Sequence, residues 1–85
     1  MTPAQRRVLE AMARGLTPDG VHMPTRYGRP WVCGESWRTT MRTVEALVAL
    51  GFIKAATGGQ CREDGCHTIT PAGRAALARG GKGKP

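Results

Sequence analysis

The strongest alternation of apolar and polar positions lies within residues 39–53 and predicts an amphipathic helix followed by a strand. At about 100° per residue, one side of this helix collects the apolar side chains of Met41, Val44, Leu47 and Val48. Thr39 or Thr40 can cap its start with a hydroxyl oxygen, and Gly51 stands where a left-handed residue ends a helix. We therefore expect these apolar side chains inside, the opposite face in solvent, and a strand from Phe52 onward.

Two further helices are predicted, because a threonine–proline pair stands where each of them would begin. Thr2 can cap a helix that has Pro3 in its first turn, with an inward face of Val8, Leu9, Met12 and Ala13. Thr70 and Pro71 repeat this device and open a last helix that runs through Arg79 and packs through Ala75, Ala76 and Leu77. Residues 80–85 are expected to form a flexible basic tail.

The segment between the first two predicted helices, residues 17–34, is interrupted by prolines and glycines and does not form an ordinary helix. Residues 21–23 and 31–33 are short enough for two strands around a turn at residues 26–29. An irregular loop is the alternative. After the central helix, residues 52–56 and 66–69 predict a β-hairpin, because the Asp-Gly pair between them favours a turn.

Length and charge limit the function. The 85 residues make one small domain whose core contributes only about 3–5 kcal/mol net, so a dimer or another partner would help. The formal net charge of +7, from 13 Lys and Arg against 6 Asp and Glu, favours polyanions, and nucleic acid before an anionic membrane. No apolar run reaches the about 18–20 residues that span a bilayer, and no signal peptide is recognisable. We expect a cytoplasmic protein with no membrane partner.

The order of these elements resembles that of a known family. A helix, an intervening segment, a helix ending in Gly-Phe-Ile, a hairpin, and then Ile-Thr-Pro-Ala-Gly-Arg-Ala-Ala-Leu follow one another. This order resembles the winged helix-turn-helix domains of small bacterial and phage regulators, mainly over residues 2–12, 40–53 and 68–77. The resemblance implies a small α+β domain over residues 1–79, with three helices and a C-terminal β-hairpin wing. The helix that the family normally places before its recognition helix is degenerate here or replaced by a hairpin or loop.

The resemblance also implies which residues contact DNA. Winged domains place a recognition helix in the major groove, and their wing reaches the backbone or the minor groove. The positions of this sequence that match the groove-facing ones are Arg38, Thr39, Arg42, Thr43 and Ala46, and the wing positions are Lys54 and Arg62. Arginine commonly contacts guanine edges, and threonine contacts phosphate or a thymine methyl group. Glu45, on the flank of this face, would repel phosphate.

The cysteines leave three states open. Cys33, Cys61, Cys66 and His67 are weak candidates for a zinc site, since zinc prefers four nitrogen or sulfur ligands. Their spacing is poor for zinc, and the adjacent Cys66 and His67 point to opposite faces of a strand. A second state is an oxidised Cys61–Cys66 pair across the hairpin, which is geometrically plausible. The third state is free thiols, and a reducing cytoplasm favours these over the disulfide. No catalytic constellation stands out, so we expect a protein that is not an enzyme and has no cofactor.

The sequence therefore predicts a sequence-specific double-stranded DNA-binding protein, a phage or prokaryotic transcription regulator that acts as a homodimer on a palindromic site. The alternative is a phage-encoded winged-helix protein that binds and inhibits a host protein complex, in the manner of an anti-CRISPR protein. The arginine and threonine face favours DNA, and the degenerate segment before it favours a protein partner. Single-stranded nucleic acid binding by Tyr27, Trp31 and Trp37 is disfavoured, because aromatic residues are few.

Overall fold

The computed structural model describes residues 1–15, 20–25, 29–55 and 66–83, and of residues 80–83 only the helical backbone. Its elements in chain order are α1 (Pro3–Met12), β1 (Met23–Pro24), α2 (Met41–Ala49), β2 (Ile53–Ala55), β3 (Cys66–Ile69) and α3 (Pro71–Gly83). Strand β3 lies between β1 and β2 and is antiparallel to both of them. The described part of the chain is thus a small α+β unit of three helices and a three-stranded antiparallel sheet.

One apolar core joins the helices to the sheet. Each of the three strands contributes to it, and so does the segment between β1 and α2, which supplies Val32. The core side chains are fully or almost fully excluded from solvent, and they are Val8, Leu9, Ala11, Met12, Met23, Val32, Val44, Leu47, Ile53 and Ile69. The inward positions predicted for α1 are therefore confirmed at Val8, Leu9 and Met12, and Ala13 is half-buried.

Both threonine–proline helix starts are confirmed. The hydroxyl oxygen of Thr2 accepts from the Gln5 amide at 3.2 Å. In return the Thr2 amide donates to the Gln5 side-chain oxygen at 3.1 Å, which completes a reciprocal capping box ahead of α1. At the start of α3 the Thr70 hydroxyl oxygen accepts from the Gly73 amide at 3.1 Å. Each start thus satisfies an amide that the helix itself leaves without a partner.

The end of α2 is closed by a glycine motif, as predicted. Gly51 adopts a φ of +80°, which a side chain would strain. The Phe52 amide donates back to the Leu47 carbonyl at 3.0 Å, and the Gly51 amide donates to the Val48 carbonyl at 2.9 Å. This pair of hydrogen bonds turns the chain directly from α2 into β2.

The start of α3 is fastened to this turn. The Thr70 hydroxyl donates to the Gly51 carbonyl at 2.7 Å, and the Thr70 amide donates to the Phe52 carbonyl at 2.9 Å. Gly73 lies so close that an added Cβ would stand 2.3 Å from the Phe52 carbonyl oxygen. The ends of α2, β3 and α3 therefore meet at one tightly packed junction.

The rotation of α2 about its axis differs from the prediction. Val44 and Leu47 are buried as expected, but Met41 is 38% and Val48 43% exposed. The inward direction of the helix is thus centred on Val44 and Leu47, and the predicted apolar stripe was wrong at its two other positions.

Thr43 and Ala46, expected in solvent, are half-buried on the flanks of the inward side. A threonine can take this position because its hydroxyl forms a hydrogen bond with a nearby side chain: the Thr40 and Thr43 hydroxyl oxygens lie 3.3 Å apart. Thr40 is also the N-cap of α2 and accepts from the Thr43 amide at 3.3 Å.

The segment between β1 and α2 corrects the predicted hairpin of residues 21–23 with residues 31–33. Strand β1 pairs with β3, with Met23 opposite His67, and residues 31–33 form no strand. Residues 31–33 form an irregular segment, which was the alternative prediction. The Cys33 amide donates to the His22 carbonyl at 3.0 Å and holds this segment close to β1. The physical reason is that β3 can pair along both of its edges, whereas residues 31–33 lie between Pro30 and Gly34, which disfavour a strand. Residues 26–28 of the predicted turn lie outside the described residues.

Helix α3 is longer than expected. It runs to Gly83 and so passes the predicted end at Arg79, and residues 80–83 of the predicted tail belong to it. Glycine costs a helix about 1 kcal/mol relative to alanine but does not prevent helical geometry. Ala76 is buried and Leu77 half-buried as predicted, whereas Ala75 is exposed. No helix in the described ranges has both the length and the apolar character needed to cross a bilayer.

The rotation of α2 predicts a sharp difference between two neighbouring truncations. Leu47→Ala should lower the free energy of unfolding by about 2–5 kcal/mol, because it opens a cavity in the core. Val48→Ala should change it by less than about 0.5 kcal/mol, because its side chain already faces solvent. Urea denaturation followed by circular dichroism measures both, and equal losses in the two variants would contradict the observed orientation.

Candidate nucleic-acid interface

The structure separates the residues predicted to contact DNA. Arg38 and Arg42 are exposed, one just before α2 and one in its first turn, and Lys54 is exposed on β2. The remaining described candidates are half-buried, and they are Thr39, Thr43 and Ala46. Arg62 lies outside the described residues. Arg38 and Arg42 therefore come together at one end of α2, and the other predicted positions do not form a single face with them.

The middle of the solvent-facing side of α2 is acidic. Glu45 is exposed and lies about 40° around the helix from Met41 and about 60° from Arg42. The sequence placed it on a flank, but the inward turn of Thr43 and Ala46 makes it central. A carboxylate at this position opposes close contact with phosphate along the whole length of the helix.

The N-terminal end of α2 has the opposite character. Its first turn contains no acidic residue, and Thr40 caps it. The free amides and the helix dipole make such an end attractive to an anion. The exposed guanidinium groups of Arg38 and Arg42 add two full positive charges there. The Thr39 amide donates to the Pro30 carbonyl at 2.8 Å. This hydrogen bond brings Pro30, and with it the neighbouring exposed Arg29, towards the same end of α2.

Two arginines, one on α1 and one just before α2, lie over tryptophan rings. The guanidinium of Arg38 is 5.1 Å from the ring centre of Trp31, and that of Arg7 is 4.2 Å from the ring centre of Trp37. A cation–π contact at an exposed site contributes about 0.5–1 kcal/mol, so each pair restrains the arginine without neutralising it. Because the ring contacts only the face of the guanidinium, the N–H groups at its edge remain able to donate to phosphate or to guanine. We call Arg7, Trp31, Trp37, Arg38 and Arg42 the arginine–tryptophan surface.

Glu35 anchors the segment that carries this surface. Its carboxylate accepts from the Trp37 indole N–H at 3.0 Å and pairs with the guanidinium of Arg14 on the segment that follows α1. The Arg7–Trp37 contact fastens the same segment to α1 at a second point. The segment before α2 is therefore held in place although it contains no helix.

The acidic residues of the described ranges leave the surface basic. Glu35 is engaged with Arg14, and Glu10 pairs with Arg6 at 3.3 Å. Glu45 stands one turn beyond the start of α2. No described acidic side chain is thus paired with Arg7, Arg38 or Arg42 in these contacts.

The contact between Arg7 and Trp37 is not apparent from the sequence. They are far apart in the chain, so no local pattern connects them, and an arginine on a helix surface is normally just solvated. The available signal was the pair Trp37-Arg38 directly before a predicted helix cap.

The cysteine candidates take two different states. Cys33 is an exposed free thiol, the state favoured from the sequence, whereas Cys66 is buried and disulfide-bonded, which is the oxidised alternative. Cys61 lies outside the described residues. Within the ranges that the structure describes, no three His, Cys, Asp or Glu side chains gather as a metal site.

Comparisons of this chain with models of protein families, with curated proteins and with solved structures found no match. A function for the chain therefore rests on the chemistry of its own surfaces.

His67, the last of the zinc candidates, is a half-buried residue of the central strand. Its Nδ1 lies 3.1 Å from the Thr25 hydroxyl oxygen. Burial lowers the pKa of His67 below its ordinary value of 6.5, because the charged imidazolium loses hydration. The folded state thus favours neutral His67. The stability that this difference supplies is present above pH 6.5 and is lost as the pH falls through the lowered pKa.

We expect the free energy of unfolding to fall as the pH drops from 6.5 towards the lowered pKa of His67, and His67→Gln to flatten this part of the profile. His22→Gln is the matched control, since it removes the other histidine and leaves His67 in place. Urea denaturation at a series of pH values measures the slope. A profile that is equally steep in His67→Gln would assign the pH dependence to other groups.

Proposed function

We propose that the protein binds double-stranded DNA through its arginine–tryptophan surface. One observation carries this proposal: two exposed arginines, Arg38 and Arg42, lie at the start of a helix whose first turn has no acidic residue. Arg38 is restrained by Trp31, so less side-chain freedom is lost when it binds a phosphate. The formal net charge of +7 supports a polyanionic partner.

The order of the elements supports the same proposal, because it runs helix, segment, helix, hairpin, helix, as the resemblance to winged domains implies. Under this proposal α2 is the recognition helix, and β2 and β3 form the base of the wing. The segment before α2 takes the place of the missing helix. Arg7 of α1 lies over the Trp37 ring, and Arg14 just after α1 pairs with Glu35. The absence of a helix there therefore does not leave α2 without support.

The position of Glu45 determines the docking mode that we propose. Recognition helices of this kind contact base edges mainly with their N-terminal residues. End-on entry of α2 brings Arg42 to the bases and Arg38 and Arg7 to the phosphates, and it keeps Glu45 away from the backbone. Lys54 on β2 supplies an outer phosphate contact. A helix lying flat along the groove would bring the carboxylate against the DNA.

The proposal extends to a homodimeric transcription regulator of a phage or prokaryote that binds a two-fold-symmetric site. One small domain offers few phosphate contacts, and a second copy doubles them. If about six phosphates are neutralised in all, the logarithm of the affinity should fall with the logarithm of the salt concentration with a slope of about −5.

A second candidate function is binding to a host protein complex. The exposed Met41 and Val48 beside Glu45 favour it, because apolar side chains around a single charge are more typical of a protein contact than of a DNA groove. Under this alternative the same side of α2 is occupied by protein, and duplex DNA binds weakly and without sequence preference.

Selection from a random duplex pool should enrich a two-fold-symmetric motif that the protein then binds in fluorescence anisotropy titrations. Arg42→Gln should weaken binding to that motif by about 1–3 kcal/mol, the value of a bidentate contact with guanine. Arg38→Gln should weaken binding to all sequences and make the salt slope shallower by about 1.

Arg79→Gln is the matched control, because it removes an equal charge from an exposed position on α3. Equal effects of all three substitutions would mean that only total charge matters and would contradict the assigned surface. A pool with no enriched sequence would contradict sequence-specific binding and favour the second candidate.

A further inference from the structure

A second surface lies at the other end of α2. An open groove of about 420 Å³ is formed between the start of α1, the end of α2 and α3, and it is lined by Met1, Arg6, Leu50, Phe52, Ala76 and Arg79. Leu50 is 50% exposed and Met1 52% exposed, so two large apolar side chains of this groove face solvent. None of the lining residues is acidic.

The floor of the groove is held by the junction described above. The Gly51 carbonyl accepts from the Thr70 hydroxyl at 2.7 Å, and the Phe52 carbonyl accepts from the Thr70 amide at 2.9 Å. At the end of α2 itself, the carbonyl oxygens of Leu47 and Val48 accept from the Phe52 and Gly51 amides. Their partial negative charge is offset, so a carboxylate near Leu50 meets less repulsion than at an open helix C-terminus.

Both cations of the groove are available to a ligand. Arg79 is exposed near the end of α3. Arg6 pairs with Glu10, at 3.3 Å and four residues further along the same helix, with side chains 30% and 53% exposed. Pairs of this kind contribute about 0.3–0.5 kcal/mol, so Arg6 can exchange Glu10 for a better-placed carboxylate.

We propose that this groove docks a segment of a partner protein in which a large apolar side chain is flanked by carboxylates. The apolar side chain packs on Leu50, Phe52 and Met1, and the carboxylates pair with Arg6 and Arg79. A protein segment fits better than a small molecule, since small-ligand sites enclose about 70–90% of their ligand and half of Leu50 stays in solvent here. A second copy of this chain fits less well than an acidic segment, because a net charge of +7 on each copy opposes their association.

The groove and the arginine–tryptophan surface have no residue in common. Leu50 and Arg42 are separated by about 12 Å along the axis of α2, at a rise of about 1.5 Å per residue. Binding at the groove therefore does not require that the DNA proposal be correct, and each can fail alone.

The test uses the full chain and a short fluorescein-labelled peptide with Leu-Phe at its centre and two glutamates on either side. Two matched peptides replace either Leu-Phe by Ser-Ser or the glutamates by glutamines. We expect the parent peptide to bind in anisotropy titrations and both replacements to weaken it about fivefold or more. Amide chemical shifts in ¹⁵N spectra should change at Leu50, Phe52 and Ala76.

Protein variants locate the binding. Leu50→Ala and Arg79→Gln should each weaken the parent peptide about fivefold, while Val48→Ala and Arg42→Gln should leave it unchanged. Leu50 is half exposed, so Leu50→Ala should keep the thermal unfolding midpoint of the wild type. Binding of the selected duplex should be insensitive to Leu50→Ala.

Three results would overturn the proposal. The first is equal binding of the parent and Ser-Ser peptides, which would show charge attraction alone. The second is peptide binding that survives both Leu50→Ala and Arg79→Gln. The third is a concentration-dependent dimer in analytical ultracentrifugation that is lost in Leu50→Ala and blocks the peptide, which would identify a second copy as the occupant.

Discussion

The burial of Val44 and Leu47 against α1 and the sheet is the contact on which the surface of this protein depends. These two side chains set the rotation of α2, and through it they decide what every other residue of that helix faces. With this rotation Thr43 lies against the interior and Glu45 stands in the middle of the open side. The chemistry of α2 is therefore divided by position along its axis: basic at its start, mixed in its middle and apolar at its end.

The segment before α2 shows how a chain can position a helix without a preceding helix. Prolines and glycines exclude regular structure there, and the restraint comes from side chains instead. Glu35 holds Trp37 and Arg14 together, and Arg7 lies over the Trp37 ring. Each contact is individually weak, but they act on the same few residues, so their effects reinforce one another. The two tryptophan rings of this segment also contact arginines: Trp37 contacts Arg7 of α1, and Trp31 contacts Arg38.

Local signals in the sequence were sufficient for the element starts and stops. The Thr2 and Thr70 caps and the Gly51 stop depend on neighbouring residues alone, and all three formed as predicted. The face of α2 was harder, because a helix of only nine residues gives few positions with which to fix a direction. The pairing of β1 with β3 and the contact of Arg7 with Trp37 join distant parts of the chain, and single-sequence patterns carry no information about such contacts.

Strand β1 also affects how the molecule behaves at high concentration. Exposed strand edges are where folded proteins recruit one another into extended sheets, since open amides and carbonyls act as a template. At this edge the strand is two residues long and its second residue, Pro24, has no amide hydrogen to offer. A neighbouring molecule finds no row of donors to pair with there. An edge this short stabilises the sheet little, and on this side of the sheet it disfavours pairing between molecules.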